Sequence, residues 1–197
     1  MFKKIAPKEW VQLALGIFIV AWMGYFFSLG LEKHIYNATQ GKTLTKFISR
    51  AYLKTVLEVN SSTMIYDRTP IQFALTNSGP LTDRKINNIR PVVHILLKQG
   101  VDINAVSERG LTSFHYAIMD EDAKAVEFLI SEKANVNQPV FIGKIDQMVK
   151  PSQIDGMTPL RFLEERRKEK LVRNEKRMEE IEKLLKAAGA KSEVVKK

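Results

Sequence analysis

The sequence predicts an all-α protein: an N-terminal transmembrane helix followed by a solenoid of stacked helix pairs with a long hairpin insertion. Two observations support this fold class. Residues Val11–Leu31 contain no charged side chain, and one order of short motifs recurs three times between residues 66 and 190. A hydrophobic content of 45% across 197 residues is enough for a buried core and excludes an intrinsically disordered chain.

Composition excludes several classes of function. The chain has no cysteine, which rules out thiolate zinc sites, iron–sulfur clusters, cysteine nucleophiles and disulfides. Its net charge of +9 is concentrated at the two ends: residues 161–197 hold 13 basic and 8 acidic side chains, and residues 1–10 carry three lysines against one glutamate. Because the basic side chains are not gathered on one central face, we expect no nucleic-acid partner.

The first predicted element is a membrane-spanning helix at Val11–Leu31, behind a basic tail at residues 1–10. Its 21 residues, at about 1.5 Å each, cover a hydrocarbon core of roughly 30 Å. The alternatives are a buried core helix and a cleaved signal peptide, although the apolar stretch exceeds the usual 7–15 residues or so of a signal and no small-x-small cleavage site follows. Gly24 and Ser28 form a small-xxx-small pair, through which two anchors could associate as a homodimer.

Lysines on both sides of this segment leave its orientation nearly balanced. Those before it are Lys3, Lys4 and Lys8, and those after it are Lys33, Lys42 and Lys46. We favour an N-terminus in the cytoplasm, since the leading lysines resemble the start of an uncleaved export signal. The expectation is then a single-pass protein of the bacterial inner membrane whose soluble part faces the periplasm.

Each of the three motif copies begins with a threonine that starts a predicted helix. Threonine is a good N-cap, and proline at the first helical position loses no hydrogen bond, as in Thr69-Pro70 and Thr158-Pro159. A second helix follows, with apolar residues at i, i+3 and i+4 on one face. The second-helix segments are Val93-His94-Ile95-Leu96-Leu97, Val126-Glu127-Phe128-Leu129-Ile130 and Ile181-Glu182-Lys183-Leu184-Leu185.

In these segments the chain resembles the ankyrin repeat family. The signature of that family is a Gly-x-Thr-Pro-Leu-His turn, an alanine-rich first helix, a Val-x-x-Leu-Leu second helix and a Gly-Ala-Asp-x-Asn exit. The resemblance covers residues 66–190 and implies a solenoid of three to four repeats. The sequence departs from the signature at the histidine, where His115 matches but Gln72 and Arg161 replace it, and at Lys133, where the exit glycine is expected.

The spacing of the copies indicates two insertions. Their threonines lie 43 and 46 residues apart, against about 33 in an ordinary ankyrin repeat. One insertion falls in Asn77–Asn88, where Thr82-Asp83 is a plausible cap for an added turn of helix. The other falls in Gln138–Gln153 and is predicted to be an extended hairpin finger with Gly143 near its tip.

The ends of the repeat region are less regular. Residues 32–65 are predicted to contain a linker, Glu32–Lys42, and then a degenerate repeat or N-terminal capping helix at Leu44–Val59. In the last copy, glutamates precede basic residues by four positions, which is typical of an exposed helix. That stretch is either a solvated outer face that caps the stack or a coiled-coil arm, and residues 191–197 follow as a basic tail.

No catalytic motif is found. The sequence has no phosphate-binding glycine loop, no His-Glu-x-x-His and no Gly-x-Ser-x-Gly. The three histidines, His34, His94 and His115, are too scattered to favour a metal site. We therefore predict a protein that is not an enzyme and needs no cofactor or metal.

The ankyrin resemblance implies a binding protein whose partner contacts the hairpin fingers and the inner helices. Carried over by position, the predicted partner-binding residues fall in three groups. They are Gln72, Tyr116 and Met119 on the inner helices, Ser107, Glu108 and Arg109 in the shorter finger, and Phe141, Lys144, Asp146 and Met148 in the inserted finger.

The architecture also resembles that of membrane-tethered or exported ankyrin proteins that act as immunity partners of antibacterial phospholipase effectors. This resemblance implies a toxin as the partner, with the chain covering the active-site cleft of that toxin in the periplasm. The alternative is a membrane-bound scaffold or assembly factor with a cytoplasmic ankyrin domain.

Overall fold

A computed structural model describes residues 30–40, 43–55, 58–77, 79–140 and 154–195. These residues form eight α-helices that pack as four consecutive pairs, and each pair stacks on the next in chain order. The helices are α1 (Leu31–Gln40), α2 (Thr43–Thr55), α3 (Pro70–Thr76), α4 (Asp83–Lys98), α5 (Ser113–Met119), α6 (Ala123–Ser131), α7 (Pro159–Lys168) and α8 (Glu175–Ala187).

The predicted fold class is wrong in its first element, the transmembrane helix. Within the ranges that the structure describes, none of the helices combines the length and apolar character that a membrane crossing requires. Residues 11–29 of the predicted span lie outside the described residues. Leu31, its predicted last residue, is the first residue of α1 and packs against the hydrophobic core.

Helix α1 occupies most of the segment expected to be a linker. Ile35 and Ala38 are fully buried and lie on one face of the helix, which packs against α2, α3 and α4. The pair α1–α2 therefore forms the first layer of the solenoid. Sequence analysis did not predict this short amphipathic helix, because the apolar run Val11–Leu31 ends at Leu31, the first residue of the helix.

The hydrophobic core is continuous through all four pairs. Full burial of an aliphatic or aromatic side chain contributes about 1.5–3 kcal/mol. A single pair would leave one apolar face exposed to water, so the neighbouring pair is needed to bury that face. The largest fully buried side chains are Ile35, Leu53, Ile71, Ile89, Leu96, Phe114, Ile118, Phe128, Leu129, Leu163, Met178 and Ile181.

The predicted helix starts are confirmed at Thr69, Thr112 and Thr158, each of which is the N-cap of the first helix of its pair. The predicted helix ends are confirmed at Gly100 and Gly189, which adopt φ values of 89° and 81°. At the equivalent position in the third pair, Lys133 adopts the same left-handed conformation with φ 62°, although it has a Cβ atom.

The first insertion lengthens a helix of the stack, and the ends of the second insertion are joined by hydrogen bonds. Thr82 caps α4 by accepting a hydrogen bond from the Lys85 amide, so the first insertion lengthens α4 to 16 residues against 9 in α6. Residues 141–153 of the second insertion lie outside the described residues. Its two ends meet, because the Val140 amide donates to the Met157 carbonyl at 2.9 Å and the Gly156 amide donates to the Val140 carbonyl at 2.7 Å.

The C-terminal segment Lys191–Val195 closes the far end of the solenoid. The Val195 amide donates to the Gly156 carbonyl at 2.7 Å, and the Thr158 amide donates to the Glu193 carbonyl at 3.0 Å. The segment thereby covers the start of the last pair. Gly156 permits this contact, since it has φ +77° and a Cβ there would lie 2.1 Å from the Val195 carbonyl oxygen.

We predict that Gly156→Ala destabilises the full chain more than it destabilises a chain ending at Ala190. In the shortened chain the substitution costs about 1–2 kcal/mol, the strain of a left-handed alanine. In the full chain it also displaces residues 191–195, so the free energy of unfolding falls further. Urea unfolding of the four proteins measures the two costs, and equal costs would show that the segment contributes no stability through this contact.

Candidate interaction surface

The first helices of the last three pairs carry an aromatic residue four positions after each capping threonine. These residues are Phe73, Tyr116 and Phe162, and they lie almost fully buried. The guanidinium of Arg68 stands 4.9 Å from the centre of the Tyr116 ring, and that of Arg166 stands 5.8 Å from the Phe162 ring. Cation–π contacts of this kind contribute about 0.5–1 kcal/mol at exposed sites and hold the arginines against the helices.

The finger that precedes α3 is a two-residue hairpin, which we call the Tyr66 finger (Ile65–Arg68). Ile65 and Arg68 pair, and Tyr66 and Asp67 both adopt positive φ, as such a turn requires. The Tyr66 ring lies 6.1 Å from the Phe73 ring, yet 72% of the residue is exposed. A hydrogen bond to Glu32 raises the pKa of the Tyr66 hydroxyl and restrains the ring.

The next finger, the Glu108 finger (Ser107–Leu111), is joined to the Tyr66 finger. The Glu108 amide donates to the Asp67 carbonyl at 3.0 Å, and the Arg109 guanidinium lies 3.5 Å from the Asp67 carboxylate. Ser107 is buried, and its backbone pairs with Leu111 to close the turn. Of the three residues predicted here, Glu108 is exposed and Arg109 half-buried, so they remain accessible to a partner.

Gln72 is fully buried, and its side-chain amide forms hydrogen bonds within the stack. Its Oε1 accepts a hydrogen bond from the Thr69 amide at 3.0 Å, and its Nε2 donates to the carbonyls of Ala105 and Leu111 at 3.1 and 3.0 Å. Gln72 thus caps its own helix and fixes the Glu108 finger of the following pair. The structure leaves no part of this predicted partner-binding residue on the surface.

His115 occupies the equivalent position in the next pair. Its Nδ1 lies 2.7 Å from the Thr112 hydroxyl, and its ring packs edge-on against Phe162 at 5.1 Å. Burial lowers the pKa of His115 to about 3, while the backbone of Met157, the counterpart of Leu111, opposes that shift. Arg161, the third residue in this position, instead pairs with Glu164 and Glu165 on its own helix.

A cleft of about 190 Å³ opens beside the fingers. It lies between the end of α3, the loop at Gly79-Pro80, helix α5 and Arg173. Asp120, at the C-cap of α5, is exposed in it. Burial raises the pKa of the Asp120 carboxyl, as does Asp122 to a smaller extent, and Arg68, Arg173 and Arg166 oppose the shift.

Buried Glu121 positions one wall of the cleft. Its carboxylate accepts hydrogen bonds from the amides of Arg173 at 2.6 Å and Asn174 at 2.9 Å. The Arg173 guanidinium also donates to the carbonyl of Met119, a predicted inner-helix residue that is half-buried here. The acidic run Asp120–Asp122, which joins α5 to α6, therefore also fixes the loop that leads into α8.

The structure brings six predicted residues to one region of the molecule. Tyr116 and Met119 lie on α5, next to the two joined fingers that carry Ser107, Glu108 and Arg109, with Gln72 beneath them. The other four, Phe141, Lys144, Asp146 and Met148, lie outside the described residues. Among the side chains that the structure does describe, no three His, Asp or Glu groups are placed to hold a metal ion.

Sequence reasoning missed several residues of this surface. Tyr66 and Arg68 directly precede the first motif copy, and Asp120, Arg166 and Arg173 lie near the ends of helices. The positions of Tyr66 and Arg68 could have identified them as surface residues, since the residues before each capping threonine form a finger. Arg173 could not be assigned because its partner, Glu121, belongs to the preceding pair of the stack.

We predict that His115 makes the protein less stable in acid and that His115→Gln removes this effect. The unfolded chain binds a proton at a histidine pKa near 6.5, whereas the folded chain does so only near 3, so stability is lost as the pH falls through this window. Between about pH 7 and pH 5 the loss amounts to about 2 kcal/mol. The fold already accommodates a buried glutamine at the equivalent position of the preceding pair, Gln72.

Urea unfolding of both proteins at the two pH values measures the difference. His34, His94 and all the carboxyl groups are present in both proteins, so their contributions cancel. An unchanged pH dependence in His115→Gln would contradict the assignment of a neutral buried His115.

Comparison with known proteins gives two matches. The family model for ankyrin repeats (many copies) matches residues 91–130, which span the second half of α4, the Glu108 finger, α5 and most of α6. A fowlpox virus (strain NVSL) protein named as an ankyrin repeat protein, FPV233, is 30% identical over 73 residues, which are 36% of this chain and 14% of the viral protein. Repeats of this family indicate protein–protein interaction. These matches show that residues 91–130 are similar to ankyrin repeats, and the stacked helix pairs and joined fingers described above agree with that similarity.

Proposed function

We propose that this chain binds a partner protein across the two joined fingers and the adjoining cleft. The observation that carries the proposal is the placement of Tyr66. Its ring is 72% exposed at the tip of a finger that is held to the stack by the Glu32 hydrogen bond and by the Glu108 finger. A large aromatic side chain restrained in this way loses little entropy on binding, and tyrosine is enriched among the residues that dominate interface energies.

The arrangement of the polar groups supports binding over catalysis. Gln72 and Glu121 are buried, and their hydrogen bonds hold one repeat to the next, while buried His115 bonds to the capping Thr112 of its own helix. Glu108 and Asp120 are left exposed. Exposed polar side chains of this kind suit the rim of a protein interface.

We propose more narrowly that the partner is an antibacterial phospholipase that acts in the periplasm. This chain would then be the immunity protein that neutralises it. A rigid surface with one projecting aromatic residue suits the covering of an active-site cleft. The second candidate is a scaffold or assembly factor with its ankyrin domain in the cytoplasm. The location of the repeat domain distinguishes the two, and a C-terminal reporter fusion that is active in only one compartment measures it.

We predict that Tyr66→Ala weakens partner binding at least about 30-fold, the effect of losing a contact worth about 2 kcal/mol. The measurement is affinity capture by the tagged chain, followed by calorimetry with the partner that is recovered. Tyr36→Ala is the matched control, since Tyr36 is another exposed tyrosine and lies on α1. If Tyr66→Ala retains the affinity of the wild type, the fingers are not the binding surface.

The immunity role has a separate test. The chain is expressed together with each toxin encoded beside its gene, and cell survival is measured. Protection that Tyr66→Ala abolishes and Tyr36→Ala preserves would support the narrower proposal. Absence of protection against every such toxin would exclude the immunity role while leaving protein binding intact.

A further inference from the structure

We propose that the outer face of helix α2 docks on the anionic surface of a lipid bilayer. We call it the α2 face; it is formed by Lys46, Phe47, Arg50, Ala51 and Lys54. The contact is peripheral, since α2 lies on the bilayer and does not cross it. The inference goes beyond the proposed function, because neither finger contributes a residue to this face.

Phe47 is an aromatic residue exposed on a helix whose other side packs into the stack. It is 72% exposed, whereas Leu53 of the same helix is fully buried. Ala51 and Lys54 follow Phe47 by four and seven positions, so these three residues lie on one side of α2, and all three are exposed. The helices that pack closely against α2 are α1 and α4. Phe47 therefore projects away from the stack and leaves apolar surface in water.

The first pair of the stack carries an excess of positive charge. Residues 30–55 hold five basic side chains against one acidic side chain, that of Glu32, whereas residues 56–160 hold 10 basic and 12 acidic side chains. The side chain of Glu32 is itself hydrogen-bonded to Tyr66. The first pair is therefore basic, although the repeats that follow it are slightly acidic.

The basic groups of the α2 face keep their charge uncompensated. Within the described part of the chain, no carboxylate forms an ion pair with Lys46, Arg50 or Lys54. The Arg50 guanidinium donates to the backbone carbonyls of Ala38 at 3.1 Å and Asn88 at 2.7 Å, which are neutral acceptors. An anionic surface would supply the missing opposite charge.

The last pair, at the other end of the stack, has its basic groups paired. The Arg167 guanidinium lies 2.6 Å from the Glu175 carboxylate, and the Lys168 ammonium lies 2.9 Å from the Glu165 carboxylate. The helices of that pair also expose no aromatic side chain. The two ends of the described stack therefore differ, and the exposed ring with unpaired basic groups belongs to the first.

Charge selects among the possible occupants of the α2 face. A second copy of the chain would place the same basic groups opposite these, and like charges repel. Residues 1–29 contain three lysines and one glutamate, so they do not complement the face either. A bilayer with anionic headgroups does, and the acyl chains beneath those headgroups accept an aromatic ring.

The arrangement along the helix also suits a bilayer. Lys46 and Lys54 lie on opposite sides of Phe47 along α2, so their ammonium groups can reach headgroups while the ring enters the acyl boundary. A stable protein interface needs about 1,000 Å² of complementary surface, which one ring on one helix does not provide. A bilayer adapts its surface to the protein and requires no such match.

The test uses the full chain with one labelled cysteine, since the natural sequence has none. Ala51→Cys carries the environment-sensitive fluorophore NBD, and the probe is a phosphatidylcholine vesicle with or without about 30% phosphatidylglycerol. We expect the emission to rise with anionic vesicles and this rise to be lost at about 0.5 M salt. The control is the same label at Glu180→Cys, an exposed position on α8, which should not respond. Residues 1–29 are present in both proteins, so a difference between the labels reports on the faces that carry them.

Substitutions in the Ala51→Cys chain then test the groups of the α2 face. Lys46→Gln together with Lys54→Gln should raise the anionic lipid concentration needed for the same response about 30-fold, or about fivefold for each lysine. Phe47→Ser should raise it about tenfold. Leu171→Ser is the matched control, since Leu171 is 56% exposed between α7 and α8, and it should have no effect. Because Phe47 is exposed, Phe47→Ser should also leave the midpoint of urea unfolding unchanged.

Several outcomes would overturn the proposal. They are equal responses of the two labels, equal responses to neutral and anionic vesicles, and an unchanged response after Phe47→Ser or after the two lysine substitutions. High emission at position 51 without vesicles would show that the face is already covered, by a second copy if the emission depends on protein concentration and by residues 1–29 if it does not. A response to a captured partner protein but not to vesicles would make the α2 face a protein interface.

Discussion

The middle of the stack depends on two buried polar side chains, Gln72 and His115, each three residues after the capping threonine of its pair. In the second pair, Gln72 accepts from its own Thr69 amide and donates to two carbonyls of the following finger. His115 occupies the same position in the third pair, where its Nδ1 lies 2.7 Å from the Thr112 hydroxyl and its ring packs against Phe162 of the fourth pair. Burying an amide such as that of Gln72 is favourable only when its hydrogen bonds are made, so the second pair requires the third in a fixed position. The Glu108 finger is consequently held by the core.

A second series of hydrogen bonds fixes the opposite ends of the pairs. The Ser61 hydroxyl accepts from the Asp102 amide, Asn104 accepts from the Asn135 amide, and Asn137 accepts from the Lys191 amide, each at 2.7 Å. Because these contacts repeat along the chain, a pair at the end of the series would leave polar groups unmatched. At the C-terminal end Lys191–Val195 supplies the missing partners and pairs with Gly156 and Thr158, which makes this short segment part of the fold.

The repeats could be predicted from the sequence because their signals are local. A threonine before a helix, a glycine after it and apolar residues on one face identify α3 to α8 without knowledge of the stack. The transmembrane helix was wrongly included in the fold because hydropathy alone was applied up to Leu31, where the amphipathic pattern of α1 already begins. The surface was harder to predict, since burial and exposure depend on neighbouring pairs. Gln72 resembles a surface amide in sequence but bridges to Leu111, 39 positions away.

The hydrogen bonds that join successive pairs of the stack also hold the walls of the cleft in place. Its walls come from three successive pairs: Gly79-Pro80 from the second, Ser113 and Asp120 from the third, and Arg173 from the fourth. Glu121 joins the last two of these by binding the amides of Arg173 and Asn174, and Asp122 joins the first two through Leu81. Two carboxylates of the acidic run, those of Glu121 and Asp122, therefore hold the walls of the cleft, and Asp120 also borders the cleft. Since a surface recognises a partner best when its groups are fixed before binding, the hydrogen bonds of Glu121 and Asp122 fix the groups around the cleft in advance.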